Sequence, residues 1–271
     1  MRLKAGCDIH LSAPSPASLV AMLRPRSGTA QWIIGERYDF EPFVQATEYV
    51  DAFGNLCQRL TAPAGAFRIR TEVEIEVAEA IAVEPSAGPA NVEDLPDYVL
   101  QFLLPSRYCQ SDMLESVAED VVAGRKPGYE QVDAIREFIR EQIEYRSGAS
   151  NGSTSAVDTL RDRAGVCRDF SHVGLSLCRA LRIPARMVVG YLLGLTPMDL
   201  HAWFEAFVGG RWYTFDATQP KPRGGRIAIA YGRDAADVAL LTELGPLKTE
   251  RMNVWVHEVS AGDVKGVNLP A

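Results

Sequence analysis

The segment that decides the fold of the second half of the chain is residues 201–216, which read HAWFEAFVGGRWYTFD. Its two apolar runs flank a Gly-Gly pair, which is typical of the two-residue turn of a β-hairpin. If Val208 pairs with Arg211 across this turn, His201 and Asp216 lie on one face of the hairpin as diagonal neighbours. Diagonal neighbours are about 7–8 Å apart at the backbone, a gap that a carboxylate and an imidazole can close. A slip of one residue would put the two side chains on opposite faces.

His201 therefore has two possible roles at the start of this hairpin. A single histidine on a strand is most often a structural residue with satisfied hydrogen bonds. An aspartate aligned with it favours a functional pair, in which Asp216 orients the imidazole and stabilises its charged form.

Cys167 stands where a buried helix is predicted to begin, directly after Ala164-Gly165-Val166. Apolar residues follow at steps of three and four, and Pro184 ends the pattern because proline cannot continue a helix. Unpaired backbone N–H groups and the helix dipole at an N-terminus favour a thiolate over a thiol. The alternative is a small buried hydrophobe, which is the usual fate of a lone cysteine and the expected state of Cys178.

Cys167, His201 and Asp216 together have the composition of a triad for nucleophilic acyl transfer. The cysteine is the expected nucleophile. The histidine takes its proton and later protonates a leaving group, while the aspartate orients the histidine.

Composition excludes several classes of protein and partner. The 271 residues are 47% hydrophobic and 23% charged, which is typical of a globular chain. With 28 basic and 35 acidic residues the net charge is −7, so we expect no nucleic-acid partner. The five cysteines include no CxxC pair, which argues against a disulfide framework and a structural zinc site.

The location in the cell is predicted from the thiols and from the apolar runs. Five cysteines without a pairing pattern favour a reducing compartment. The N-terminus shows no signal-peptide pattern, and no apolar stretch approaches the roughly 18 residues of a membrane span. We therefore expect a cytoplasmic protein without a membrane partner.

The first half of the chain has the pattern of strands. Residues 67–77 alternate between apolar and charged side chains, as a half-buried strand does. Residues 51–55 are a plausible hairpin turn, and shorter strands are expected at 4–11, 18–23 and 32–40. These features predict an antiparallel β-sandwich over residues 1–95, which serves either as a docking domain or as a binding module.

The second half, residues 96–271, begins with helical periodicity. Helices are predicted over 110–122 and 130–145, before the helix at Cys167. Strands are then expected at 186–193, 201–208, 211–216, 226–231 and 253–259. Helices packed on an antiparallel sheet make the fold class α+β.

Three sequence blocks in this half occur in the order and spacing of a known family. They are Gly165-Val166-Cys167-Arg168-Asp169-Phe170-Ser171-His172, then His201-Ala202-Trp203-Phe204-Glu205, then Phe215-Asp216-Ala217-Thr218. Together they resemble the transglutaminase-like superfamily over about residues 110–235. The first half is similar in kind to the β-rich N-terminal domain of bacterial members, which are often called putative cysteine proteases.

The resemblance implies a papain-like core and a thioester intermediate on Cys167. Hydrolysis of a peptide or protein amide is favoured over transfer to an amine, and a non-catalytic interaction scaffold is a third possibility. Animal members use calcium, but no Asp-x-Asp-x-Asp-Gly loop is present here, so we expect no metal and no cofactor. Neither the substrate nor the oligomeric state follows from the sequence.

The second oxyanion donor does not follow directly from the family pattern. Papain-like enzymes place a glutamine six residues before the cysteine, and Arg161 holds that position here. Related members use an upstream aromatic donor, for which Tyr145, expected at the end of its helix, is the candidate. The backbone N–H of Cys167 would be the other donor. Core packing is the alternative role of Tyr145.

Two further residues are candidates for the wall of a substrate cleft. Trp203 lies on the same strand as His201, although aromatic residues on paired strands are more often packing partners. His172 follows Cys167 by five residues, about 140° away around a helix. We expect His172 to flank the site or to pack against it, and not to be the base.

Overall fold

The computed structural model describes residues 1–28 and 30–259. Within them the chain forms fourteen strands and five α-helices. The strands are β1 Arg2–Ala13, β2 Ala17–Arg24, β3 Gln31–Glu41, β4 Thr47–Val50, β5 Leu56–Ala62, β6 Gly65–Val77, β7 Glu144–Tyr145, β8 Ala164–Gly165, β9 Ala185–Leu192, β10 His201–Val208, β11 Arg211–Phe215, β12 Arg226–Gly232, β13 Leu241–Glu243 and β14 Lys248–Glu258. The helices are α1 Asp97–Leu100, α2 Glu115–Val121, α3 Tyr129–Gln142, α4 Ala156–Asp162 and α5 Cys167–Ala180.

The six strands of the first half form two four-stranded antiparallel sheets together with β13 and β14, in the orders β14-β1-β6-β3 and β13-β2-β5-β4. Alternate apolar residues of β1, β2, β5 and β6 contribute to one buried cluster, so both sheets share a core. The strand predicted at 67–77 is confirmed as β6, and the turn predicted at 51–55 joins β4 to β5.

The end of the described chain returns to these sheets. β13 pairs with β2, and β14 pairs with β1 along most of its length. The strand predicted at 253–259 therefore exists, but its assignment to the sheet of the second half is wrong, because the pairing partner of a strand is a long-range property that periodicity does not encode. The division at residue 95 stays a prediction, and residues 260–271 lie outside the described residues.

The second half is built around a four-stranded antiparallel sheet in the order β11-β10-β9-β12. Helix α5 packs on β10, and this contact is close: a Cβ on Gly174 would lie 2.5 Å from the ring of Phe204. The α+β class is confirmed. The helix predicted over 110–122 is shorter, with a 3₁₀ turn at Ser111–Met113 followed by α2.

Strand β12 is the outer strand of this sheet, and side-chain amides of the first half cover its free edge. Gln31 donates to the carbonyl oxygen of Ala228 and accepts from its N–H, both at 2.8 Å. Asn55 makes the same pair of 2.8 Å bonds with Tyr231. A bulge between Ala228 and Ala230 adds a residue, so backbone groups three positions apart face the same edge.

Candidate active site

The pairing of β10 with β11 determines where His201 and Asp216 meet. Val208 pairs with Arg211, and the register continues in step toward the open end of the hairpin, as the sequence predicts. His201 Nε2 lies 2.8 Å from Asp216 Oδ2, and both side chains are 4% exposed. The carboxylate accepts the Nε2–H, which leaves Nδ1 of the ring for another partner.

Asp216 accepts hydrogen bonds on both of its oxygens. Thr218 donates to Oδ1 from its backbone N–H at 3.0 Å and from its hydroxyl at 2.7 Å. Arg226 donates to Oδ2 at 2.8 Å, the same oxygen that receives His201. Burial opposes the charge, but the His201 hydrogen bond and the Arg226 cation hold the pKa of Asp216 well below its usual range.

The environment of His201 favours its charged form. Burial of the imidazole opposes the charge, and the contacts with Asp216 and with the Cys167 thiol outweigh it, raising the pKa of His201 to about 9. His201 and Asp216 therefore meet as the sequence predicts, and the Cys167 thiol is the other side chain that favours the charged imidazole.

Cys167 is the first residue of α5, as the sequence predicts. Asp169 receives the backbone N–H of Val166 at 2.9 Å and so caps the first turn of the helix. A Cβ on Gly165 would lie 2.7 Å from Cβ of Asp169, so this turn requires glycine. Cys167 is half-buried, whereas the other four cysteines are buried, and all five are free.

Tyr145 lies beside Cys167, but not at the end of a helix. Helix α3 ends at Gln142, because Ile143 takes an extended conformation and the chain continues as β7. β7 pairs in parallel with β8, which puts Tyr145 directly opposite Gly165. The prediction that Tyr145 ends its helix is therefore wrong.

The surroundings of the Tyr145 side chain differ from a packed core. It is 56% exposed, and its ring meets Phe170 edge-on at 5.7 Å. Partial burial, followed by the nearby Cys167 thiol, raises the pKa of Tyr145, and the backbone N–H of Cys167 opposes this shift. Core packing does not describe this position.

His172 does not line a cleft; of its two expected positions, flanking the site or packing, the structure shows packing. It is fully buried on α5, where its ring stacks on Tyr108 at 4.9 Å and Nε2 accepts the N–H of Ala235 at 3.2 Å. Burial lowers the pKa of His172 to about 3. The helix turns this side chain away from Cys167, as its spacing of five residues implies.

Trp203 is also buried, at 2% exposure, so its predicted place in the cleft wall is wrong. Its ring lies between the imidazole of His201, at 6.1 Å, and the guanidinium of Arg226, at 5.0 Å. Trp203 packs against the back of the histidine because alternate residues of a strand share a face.

Sequence reasoning missed Arg226. The sequence does contain a signal for Thr218, which lies opposite His201 when the hairpin register is extended. It contains no such signal for Arg226, because β12 reaches the site by pairing with β9, outside the hairpin.

Comparisons with known proteins identify the family of this chain. The profile of the transglutaminase-like superfamily matches residues 115–217, and that of the bacterial transglutaminase-like N-terminal region matches residues 15–78. A crystal structure described as a "putative cysteine protease" from Cytophaga hutchinsonii is 36% identical, covers 96% of this chain and 91% of its own, and superposes with a TM-score of 0.89. The chain belongs to the transglutaminase-like superfamily.

Two mycobacterial relatives extend over most of the chain. An uncharacterized protein of Mycobacterium leprae is 29% identical over 262 residues, which are 89% of this chain and 91% of the relative. An uncharacterized protein of Mycobacterium tuberculosis is 26% identical over 245 residues, 80% of this chain and 77% of the relative.

In residues 1–28 and 30–259, no helix is long and apolar enough to cross a membrane. The same residues contain no group of three or more His, Cys, Asp or Glu side chains arranged to hold a metal ion. The absence of a metal and of a cofactor stays a prediction.

Proposed function

We propose that this protein is a cysteine-dependent acyl-transfer enzyme that acts on amide bonds of peptides or proteins through a thioester on Cys167. The observation that carries the proposal is the 2.8 Å bond between His201 and Asp216, with the Cys167 thiol beside the same imidazole. An imidazole held in this way can accept the thiol proton and remain charged.

The first half-reaction forms the thioester. Cys167 passes its proton to His201, and the thiolate bonds to the amide carbon while the carbonyl electrons move to oxygen. The oxygen electrons then return, the C–N bond breaks, and His201 gives its proton to the leaving nitrogen. The products are a free amine and an acyl group on sulfur.

The second half-reaction releases the acyl group to water. A water oxygen bonds to the thioester carbon while His201 takes a proton from that water. The C–S bond then breaks, and the proton returns to sulfur. A carboxylic acid leaves, and Cys167 is regenerated.

The negative oxygen formed in each half-reaction needs hydrogen-bond donors. We assign these to the backbone N–H of Cys167 and the hydroxyl of Tyr145. The position of that hydroxyl at Cys167, on a side chain that is 56% exposed, supports this role. Two donors aimed at one oxygen stabilise the transition state more than the ground state.

We favour hydrolysis over transfer to an amine. The bacterial type of domain arrangement and the similarity to the Cytophaga hutchinsonii "putative cysteine protease" support a peptidase or amidase. No glutamine-specific pocket can be read from the sequence. The free thiols favour a reducing compartment, so we propose the cytoplasm as its location.

Iodoacetamide labelling tests the activated cysteine. We expect rapid labelling at one site, lost in Cys167→Ala and slowed in His201→Gln. Cys178→Ala is the matched control, since that buried thiol belongs to the same helix and should not contribute. Labelling of Cys167 at the rate of a free model thiol would remove the basis of the enzyme proposal and favour a non-catalytic scaffold.

Amide substrates tested with and without a primary amine decide between hydrolysis and transfer. Peptide cleavage without amine incorporation supports the hydrolytic proposal. Release of ammonia with incorporation of the amine contradicts it and indicates a transglutaminase. Cys167→Ala is the control for both readouts.

A further inference from the structure

Arg226 is a buried arginine behind the predicted triad. It is the first residue of β12, and its side chain is 7% exposed. Its Nη2 donates to Asp216 Oδ2 at 2.8 Å, and its Nε donates to the carbonyl oxygen of Arg223 at 3.2 Å. Arg226 lies outside the three transglutaminase-like sequence blocks.

We propose that Arg226 is a positioning residue that holds Asp216 ionised and aimed at His201, so that the functional unit is a Cys-His-Asp-Arg relay. This inference rests on the proposed function, since it concerns the same imidazole. Arg226 does not touch the nucleophile or the substrate and acts through the carboxylate.

Asp216 is held in place at both of its carboxylate oxygens. Asp216 Oδ2 receives Arg226 and His201 together, while Oδ1 receives both donors of Thr218. With both oxygens occupied, rotation of the carboxylate would break at least one charge-assisted bond. The ring of Trp203 lies under the guanidinium and keeps it in line with the carboxylate.

The buried charge of Asp216 depends on a cationic partner. A buried carboxylate without a partner becomes protonated, and a protonated Asp216 would no longer stabilise a charged imidazole. Within the described part of the chain, no other lysine or arginine pairs with this carboxylate. The Arg226 cation therefore offsets its burial.

Other charged groups face this region without contacting Asp216. Asp133 and Arg136 project from α3, and Lys221 and Arg223 come from the segment before β12. Arg136 is paired with Asp133 at 2.7 Å. Of these cations and Arg226, only Arg226 is within hydrogen-bond distance of Asp216 in the described part of the chain.

The first half of the chain helps to keep Arg226 in place. Gln31 binds the backbone of Ala228, two residues along β12, and Arg226 itself pairs with Leu192 of β9. The start of β12 is thus attached on both edges, which keeps the arginine in register with Asp216.

The pH dependence of cysteine labelling tests the relay. Without the guanidinium, Asp216 should accept a proton more readily, and the charged His201 should lose its stabilising partner. The cysteine beside it should then label more slowly at low pH. We expect Arg226→Gln to move the acid limb of the iodoacetamide labelling profile up by about one pH unit or more. Arg226→Lys keeps the cation and should restore most of the wild-type profile.

Two controls separate charge from folding. Arg211→Gln removes an exposed cation at the turn end of the same hairpin and should leave the profile unchanged. Thr218→Val removes a neutral donor to Asp216 and should shift the limb less than Arg226→Gln. Thermal unfolding shows which variants are folded.

The outcomes are distinct from those for the proposed function. Slow labelling of the wild type contradicts the proposed function itself. Rapid wild-type labelling with an unshifted acid limb in folded Arg226→Gln overturns the relay alone. If Arg226→Gln does not fold, the test uses Arg226→Lys. An acid limb of the labelling profile that is displaced by one pH unit in Arg226→Lys would then overturn the relay.

Discussion

The side-chain amide of Gln31 forms both hydrogen bonds of a strand partner with the backbone of Ala228. Asn55 does the same for Tyr231, three residues further along β12. Two amides from the first half of the chain thus replace a fifth strand at the edge of the second sheet. An edge covered in this way cannot pair with another chain, and the two halves are held in a defined register.

Loss of either amide should destabilise the protein. Gln31→Leu leaves a buried N–H and C=O of Ala228 unpaired, and each such group costs about 1–3 kcal/mol. Asn55→Ala leaves the partly buried N–H and C=O of Tyr231 unpaired and should cost less. We expect each to lower the free energy of unfolding, measured by urea denaturation. Gln45→Leu changes an exposed glutamine of the same region and is the control. Equal stability of Gln31→Leu and Gln45→Leu would show that the edge does not need its amide.

Asp216→Asn should remove most of the activity. The amide cannot stabilise a charged imidazole, and the corresponding change in a serine protease triad lowers kcat by about 10⁴. We expect a fall of roughly that order in kcat, measured with any amide that the wild type cleaves. A loss of less than tenfold in a folded Asp216→Asn protein would contradict a triad.

Activity and stability should both fall at alkaline pH. The pKa of His201 is raised to about 9, so its charged form stabilises the fold fully below the ordinary histidine pKa. This contribution is lost as the pH rises through about 9, and the proton for the leaving nitrogen is lost with it. Denaturation and kcat/KM measured against pH should share this limb, because both report the free enzyme.

On the acid side, the contribution of Asp216 to stability changes with pH in the opposite direction to that of His201. Its pKa is lowered, so its contribution to stability is present above the ordinary aspartate pKa and is lost as the pH falls through the lowered value.

His201→Gln is the control for the alkaline limb, which that variant should lack. Persistence of the limb in His201→Gln would assign it to another group.

Tyr145→Phe should slow acyl transfer without affecting the cysteine. Removal of one oxyanion donor costs about 10²–10³ in kcat in a well-studied protease. We expect a fall toward that range with little change in KM, measured by steady-state kinetics. The iodoacetamide rate should change little, since alkylation forms no oxyanion.

Tyr98→Phe is the matched control, because Tyr98 is a tyrosine of similar exposure, at 60%. An unchanged kcat in Tyr145→Phe would mean that another group donates the second bond. A large fall in Tyr98→Phe would show that the loss is not specific to the oxyanion.

Much of the site could be predicted because its determinants are local. The Gly-Gly turn defines the register that brings His201 toward Asp216, and apolar spacing with Pro184 defines the helix that begins at Cys167. Tyr145 lies near Cys167, but on strand β7 and not on the predicted helix. Its pairing with Gly165 is a contact between separate segments, which helical periodicity does not record.

The sequence by itself determined the α+β class, the hairpin, the helix N-terminus at Cys167 and the family, because periodicity, turns and motif spacing are properties of short segments. Tertiary structure alone decided that Arg226 meets Asp216, that Gln31 and Asn55 cover β12, and that β14 returns to β1. It also decided that His172 and Trp203 are buried. These outcomes depend on which distant elements pack together, and no spacing within one segment records that choice.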